Sequence, residues 1–220
     1  NKGWALKPSI CREHSTPIEY EWSLLKRIKQ NASRFLTGQF TSKWDLYFTM
    51  QHYGVSSRLL DWSESPLVGL YFAVDDPELD EEDGALWAFA PAYYNENQGL
   101  TFTNKNDIPC FDLDEDLDSY LTGEIIKGSP SASQYPVAAI ASRTSSRIVA
   151  LHGVFTVFHS DFTPLEEVAD KHAFWRYLIP SSANESLRKE LNLIGYNKLS
   201  LFPELGNVGA YIKELLDGGL

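Results

Sequence analysis

One short run, Gln51 to Ser63, brings together an imidazole, a phenol, a guanidinium and a carboxylate: His52, Tyr53, Arg58 and Asp61. These side chains can exchange protons and hold charge, and four more candidates, Tyr71, Arg147, His152 and Glu204, stand elsewhere in the chain. Each also has a structural use. Arg58 and Asp61, three apart around Leu59-Leu60, fit a buried ion pair holding the bend between two helices. His52 in the last turn of a helix would interact favourably with the carbonyl end. Tyr71 and Trp62 read as core, Arg147 as a surface or ligand residue, and His152 beside Gly153 as structural. Other chemistries lack their signatures: there is no GxSxG elbow, P-loop or HExxH. The Glu78–Asp83 carboxylates sit in a run too polar and exposed for a glycosidase acid and base. Cys11, Cys110 and the five scattered histidines have no spacing for a tetrahedral zinc site, so no metal is expected.

The elements that position these groups are legible in part. Trp22, Leu24, Leu25, Ile28 and Ala32 recur at helical spacing over Tyr20 to Phe35. A second helix is expected from Ser42, a good N-cap, to a stop at Gly54, leaving His52 and Tyr53 in its last turn. Ser65-Pro66 opens an apolar, buried helix to Val74. Strand character marks Ala85–Ala90, Val137–Ala141, Ile148–Val149, Val154–Phe158 and Ala173–Ile179. Thr163-Pro164 starts a short acidic helix. Ser182 to Glu185 reads as a capping box launching a helix to about Asn192, and Asn207 to Leu216 as a terminal helix. Residues 92–136 are polar and acidic, and read as an insertion that partly covers the core and serves as a lid. With no internal repeat and no clean βαβ alternation, the expectation is one α+β domain over 1–220, a mixed or antiparallel sheet with flanking helices.

Composition narrows the setting. With 43% apolar and 13% aromatic residues the chain can build a substantial core. No stretch approaches the ~20 apolar residues that span a bilayer, and two isolated thiols point to a reducing, cytoplasmic location. The chain opens Asn-Lys-Gly-Trp without Met, so an upstream segment is expected. A net charge of −11 opposes nucleic acid except in a local groove. Much of that charge lies in Asp75–Asp83 and Asp112–Asp118, which read as solvated loops and lack the Gly and Glu of an EF-hand.

The run Gln51-His52-Tyr53-Gly54-Val55-Ser56-Ser57-Arg58-Leu59-Leu60-Asp61-Trp62-Ser63, with Ser65-Pro66 and Ala73, resembles the central signature of the FRG family, with Ser57 for the usual Thr. Trp4 to Ser9 resembles the family's W-x-L-x-P-S run. Arg147 to Phe155, with His152 at or beside the usual Gln, and Leu201 to Leu205, with Glu204 for Asp, resemble two later blocks. The family is named for a Phe/Tyr-Arg-Gly motif just upstream of that W-x-L-x-P-S run, which is expected before residue 1. The resemblance, taken with the order of an upstream Arg, His52-Tyr53 and a strand-rich C-terminal half, implies a fold similar to ADP-ribosyltransferases. The implied activity is NAD-dependent transfer to a protein or nucleic acid, in a toxin or antiphage role. Arg58 and Arg147 would then meet the pyrophosphate, His52 the ribose or a phosphate, and Tyr53 or Tyr71 the nicotinamide ring. Asp61 or Glu204 would steady the oxocarbenium, with His152 a further cofactor contact. The alternative is a non-catalytic module that binds a nucleotide or nucleic acid and regulates a partner.

Overall fold

The computed structural model describes residues 3–35, 42–100, 107–131, 133–143 and 145–217. Helix α1 (Ser9–Glu13) leads to α2 (Pro17–Ala32), which has proline at its first position and buries Leu25. Helix α3 (Asp45–His52) starts three residues after Ser42, whose Oγ accepts from the N–H groups of Trp44 and Asp45 at 3.1 Å each. The Asp45 carboxylate accepts in return from the Ser42 N–H at 2.9 Å. At the other end the Gly54 N–H donates to the Gln51 carbonyl and the Val55 N–H to that of Met50. That double closure needs a left-handed residue, which Gly54 supplies with φ 72°. It fixes His52 and Tyr53 and reverses the chain.

The stretch after the turn carried no strand expectation, yet Leu59–Ser63 forms strand β1. Helix α4 (Pro66–Val74) follows, then β2 (Gly84–Phe89), α5 (Pro91–Asn97), α6 (Thr122–Lys127) and β3 (Val137–Ala139). Next come α7 (Ser146–Leu151), β4 (Gly153–Val157), α8 (Leu165–Val168) and β5 (Phe174–Ile179). The chain ends in α9 (Asn184–Leu193), α10 (Lys198–Leu201) and α11 (Leu205–Asp217). The fold is α+β with two antiparallel sheets: β4 lies between β1 and β3, and β2 pairs with β5. In the first sheet Asp61 faces Phe155 in register, and in the second Trp87 faces Arg176.

One core joins α2 and α3 to the three-stranded sheet through Trp44, Phe48, Leu59, Phe111 and Phe155. A second packs α4 against α9 and α10 through Val68, Tyr71, Val74, Leu191 and Leu201. A third collects Tyr94, Phe158 and Leu165, with Trp62, Phe89 and Phe174 packed against it. Gly69 lets α4 approach β2, since a Cβ there would meet Leu86 Cδ1 at 2.8 Å. Residues 92–136 supply Tyr94, Leu100, Phe111, Leu117, Tyr120 and Leu121 to these cores.

Three local expectations are corrected. Ile148–Val149 lies in helix α7 and not in a strand, because Ser145 Oγ accepts from the Ile148 N–H at 3.2 Å and starts a turn. Ser182 does not cap α9, which follows a 3-10 turn over Ser181–Ala183. There the Asp83 carboxylate accepts from the Ser181 N–H at 2.9 Å, and the Asn184 amide donates to the carbonyls of Asp80 and Glu82. The reciprocal cap belongs to α10, between Asn197 and Ser200. The first acidic run is consequently more than a solvated loop: Asp80 also pairs with Arg188 of α9.

Candidate functional site

A cleft of about 1230 Å3 is lined by β1, β2 and α4 together with the end of α3 and the start of α7. That exceeds the roughly 300–1,000 Å3 of ordinary small-molecule sites. Strand β1 presents Asp61 and Trp62 to it, β2 presents Trp87 and Phe89, and α4 presents Phe72. The rings are held by one another. Trp62 lies 4.9 Å from Phe89, which stacks on Phe174 at 4.5 Å, and Trp62 Nε1 donates to Thr156 Oγ1 at 2.8 Å. The ring edges are thus fixed while the cleft wall stays apolar.

Asp61 is the unusual group. Water reaches its carboxyl from the cleft, yet protein surrounds it on nearly every other side. The open concavity admits water without surrounding the carboxyl with bulk solvent, so the neighbouring protein dominates the acid's energetics. That burial raises its pKa above the ordinary 3.8, against opposing effects from the Gln51 amide and the Arg147 charge. Gln51 Nε2 donates to Asp61 Oδ2 at 2.6 Å, and among the described residues Asp61 makes no ion pair.

His52 and Tyr53 sit at the mouth, Tyr53 being 68% exposed. His52 Nε2 lies 3.3 Å from Glu204 Oε1, so the structure brings these two expected residues together from distant parts of the chain. The separation is that of an ion pair, but the angle misses a hydrogen bond and leaves Glu204 Oε1 without a partner of that kind. Burial lowers the His52 pKa, with Glu204 opposing and Arg147 adding to that shift, so the imidazole is neutral at neutral pH. Arg147 donates from Nη1 to the His52 carbonyl at 2.8 Å, and its guanidinium lies 4.7 Å over the Phe202 ring. It lines the cleft alongside the carboxylates of Asp45, Asp61 and Glu64.

Arg58 is placed elsewhere. It is 1% exposed, and its partner is Glu21 of α2, not Asp61: Arg58 Nε meets Glu21 Oε2 at 2.7 Å. The expected Arg58–Asp61 pair is absent because β1 alternates its side chains, and Arg58 enters the strand pointing into the core. Its Nη1 donates to the carbonyls of Phe158 and His159, and its Nη2 to the Tyr120 carbonyl and Thr122 Oγ1. Every donor is used, so no guanidinium edge remains for a pyrophosphate. Tyr71 is buried in the second core, with its ring 5.7 Å from that of Phe72. His152 ends α7 in the left-handed conformation with φ 48°, its carbonyl accepting from the Glu64 N–H. Neither Tyr71 nor His152 lines the cleft.

The sequence reading passed over Glu21, Gln51 and Trp62 as functional or organising residues. For Glu21 the signal was available, since it precedes Leu25 and Ile28 at i, i+4 and i+7 and so lies on the apolar face. Cys11 is buried, and burial pushes its thiol up to about 12, which makes it a poor nucleophile. Among the described residues no group of His, Cys, Asp or Glu is placed to hold a metal ion, and no helix is long and apolar enough to cross a membrane.

The FRG domain family model matches residues 1–82, which takes in Gln51, Arg58 and Asp61 and leaves Arg147 and Glu204 outside. No curated protein and no solved structure matches the chain.

Proposed function

We propose that this chain, which carries an FRG domain, binds NAD in the cleft and breaks its nicotinamide–ribose bond, passing the ADP-ribosyl group to a macromolecular acceptor. The observation that carries the reading is Asp61, a carboxylate that makes no ion pair among the described residues, in an aromatic-walled cleft. When the C–N bond breaks, its electron pair leaves with the pyridine nitrogen and positive charge develops on the ribose. A nearby carboxylate in a low-dielectric site stabilises that charge more than it would in water. Trp62, backed by Phe89, offers an aromatic wall for the nicotinamide ring. The cleft volume leaves room for a ligand with two ring systems.

Arg147 is the guanidinium of the cleft, so the pyrophosphate would lie toward the mouth beside His52. Set against Asp45, Asp61 and Glu64, this cation, the one among the described lining residues, favours a small ligand over a nucleic-acid strand in the cleft. Arg58 is assigned a structural role. Ile108 borders the cleft from the 92–136 stretch, which supports a lid role for that segment. Free thiols at Cys11 and Cys110 fit a cytoplasmic setting.

Arg147→Ala is expected to weaken NAD binding by about tenfold, the loss of one charge-assisted hydrogen bond. Calorimetric titration of NAD into both proteins measures it, and equal affinities would remove Arg147 from the site. The reading as a whole is tested by nicotinamide release from NAD. A thermal shift with NAD but no release would favour a binding module.

A further inference from the structure

Asp61 does not choose its own orientation. Ser57, 1% exposed, accepts the Leu59 N–H at Oγ at 3.2 Å, which directs the hydroxyl hydrogen toward Gln51 Oε1, 2.7 Å away. The Gln51 amide can accept only at that oxygen, so its NH2 group must face the other way. That group reaches Asp61 Oδ2 at 2.6 Å and the Leu59 carbonyl at 3.4 Å. A chain of donors thus runs from the Leu59 backbone through Ser57 and Gln51 to one oxygen of the acid.

We propose that Gln51 is the positioning residue for Asp61, and that Ser57 sets the Gln51 amide so that Oδ2 is held and Oδ1 is presented to the ligand. This rests on the reading that Asp61 is the acting carboxylate of the cleft. The charged side chain that acts on the acid is Arg147 of α7, and its register partner on β4 is the uncharged Phe155. His52, beside Gln51 on α3, lies against Glu204, and Glu64, just past β1, pairs with Arg143. None of these supplies the donor that Gln51 gives. A donor to the ionised form favours that form, so the chain also opposes the effect of burial on the acid.

The test is a carboxyl 13C NMR titration of the protein without ligand, the Asp61 signal assigned by its loss in Asp61→Asn. In Gln51→Met, which keeps the length and removes both donors, the Asp61 midpoint is expected to rise by about one pH unit. Ser57→Ala, which leaves Gln51 in place but frees its amide to rotate, should move it in the same direction by less. Ser57→Thr should restore the wild-type midpoint. An unchanged midpoint in both Gln51→Met and Ser57→Ala would overturn the proposal, and Ser57→Ala decides it if Gln51→Met fails to fold. The titration needs no NAD. A shifted midpoint in a protein that releases no nicotinamide would therefore keep the positioning role and discard the NAD reading.

Discussion

Glu21→Ala is expected to lower the unfolding free energy by about 3–5 kcal/mol. Glu21 is fully buried, and its two oxygens take the Arg58 N–H, the Arg58 guanidinium and the Thr122 hydroxyl. Thr122 Oγ1, its hydrogen given to Glu21, accepts in turn from the Tyr47 hydroxyl at 2.8 Å, tying α3 and α6 into the same network. Without the carboxylate, Arg58 keeps its charge in a place that water does not reach. Urea denaturation with an unchanged m-value would isolate the loss. The double change Glu21→Met with Arg58→Met should recover most of it, since replacing both members of a buried pair by apolar side chains is often neutral. A single-variant loss under about 1 kcal/mol, the size of an exposed pair, would reject this role for Arg58.

Asp61→Asn should do the opposite to stability while abolishing activity. The folded-state pKa of Asp61 lies above its unfolded value near 3.8, so the folded protein holds the proton more tightly than the unfolded chain. Stability therefore falls as pH rises through the window from 3.8 up to the raised value, and above 3.8 the acid is a net cost. Asparagine removes that cost. Its Tm at pH 7 should exceed that of the wild type, and the difference should vanish below pH 3.8, where the acid is protonated in both states. Nicotinamide release should drop by about 10²- to 10³-fold, the scale of losing one electrostatic stabiliser of a transition state. A lower Tm with full activity would identify Asp61 as a structural residue. A group that costs stability is what a site, and not a core, retains.

The helices around the site were readable because their signals are local. Ser42, Gly54 and Ser65-Pro66 each state a start or stop within a few residues, and α3 and α4 appear where these place them. Strand β1 was hidden because Leu59–Ser63 owes its state to pairing with β4, nearly a hundred residues later in the chain. The same non-locality explains the misassigned ion pair. Arg58 and Asp61 are close in sequence, but successive residues of a strand point apart, and the true partner sits on α2. Ile148–Val149 failed for the converse reason, since β-branched residues suggested a strand while Ser145 capped a helical turn. Of the site, His52, Tyr53, Asp61 and Arg147 converge on the cleft as the sequence suggested they could, and Glu204 reaches His52. Tyr71 does not converge, because its spacing on an all-apolar helix is equally that of the core it enters.

The most direct measurement is nicotinamide release from NAD by the wild-type protein and by Asp61→Asn, with the Tm of both recorded in the same buffer. Release by the wild type, and its loss in a variant at least as stable, is the expected result. Undiminished release by Asp61→Asn, or a wild type that neither releases nicotinamide nor gains thermal stability from NAD, would contradict it.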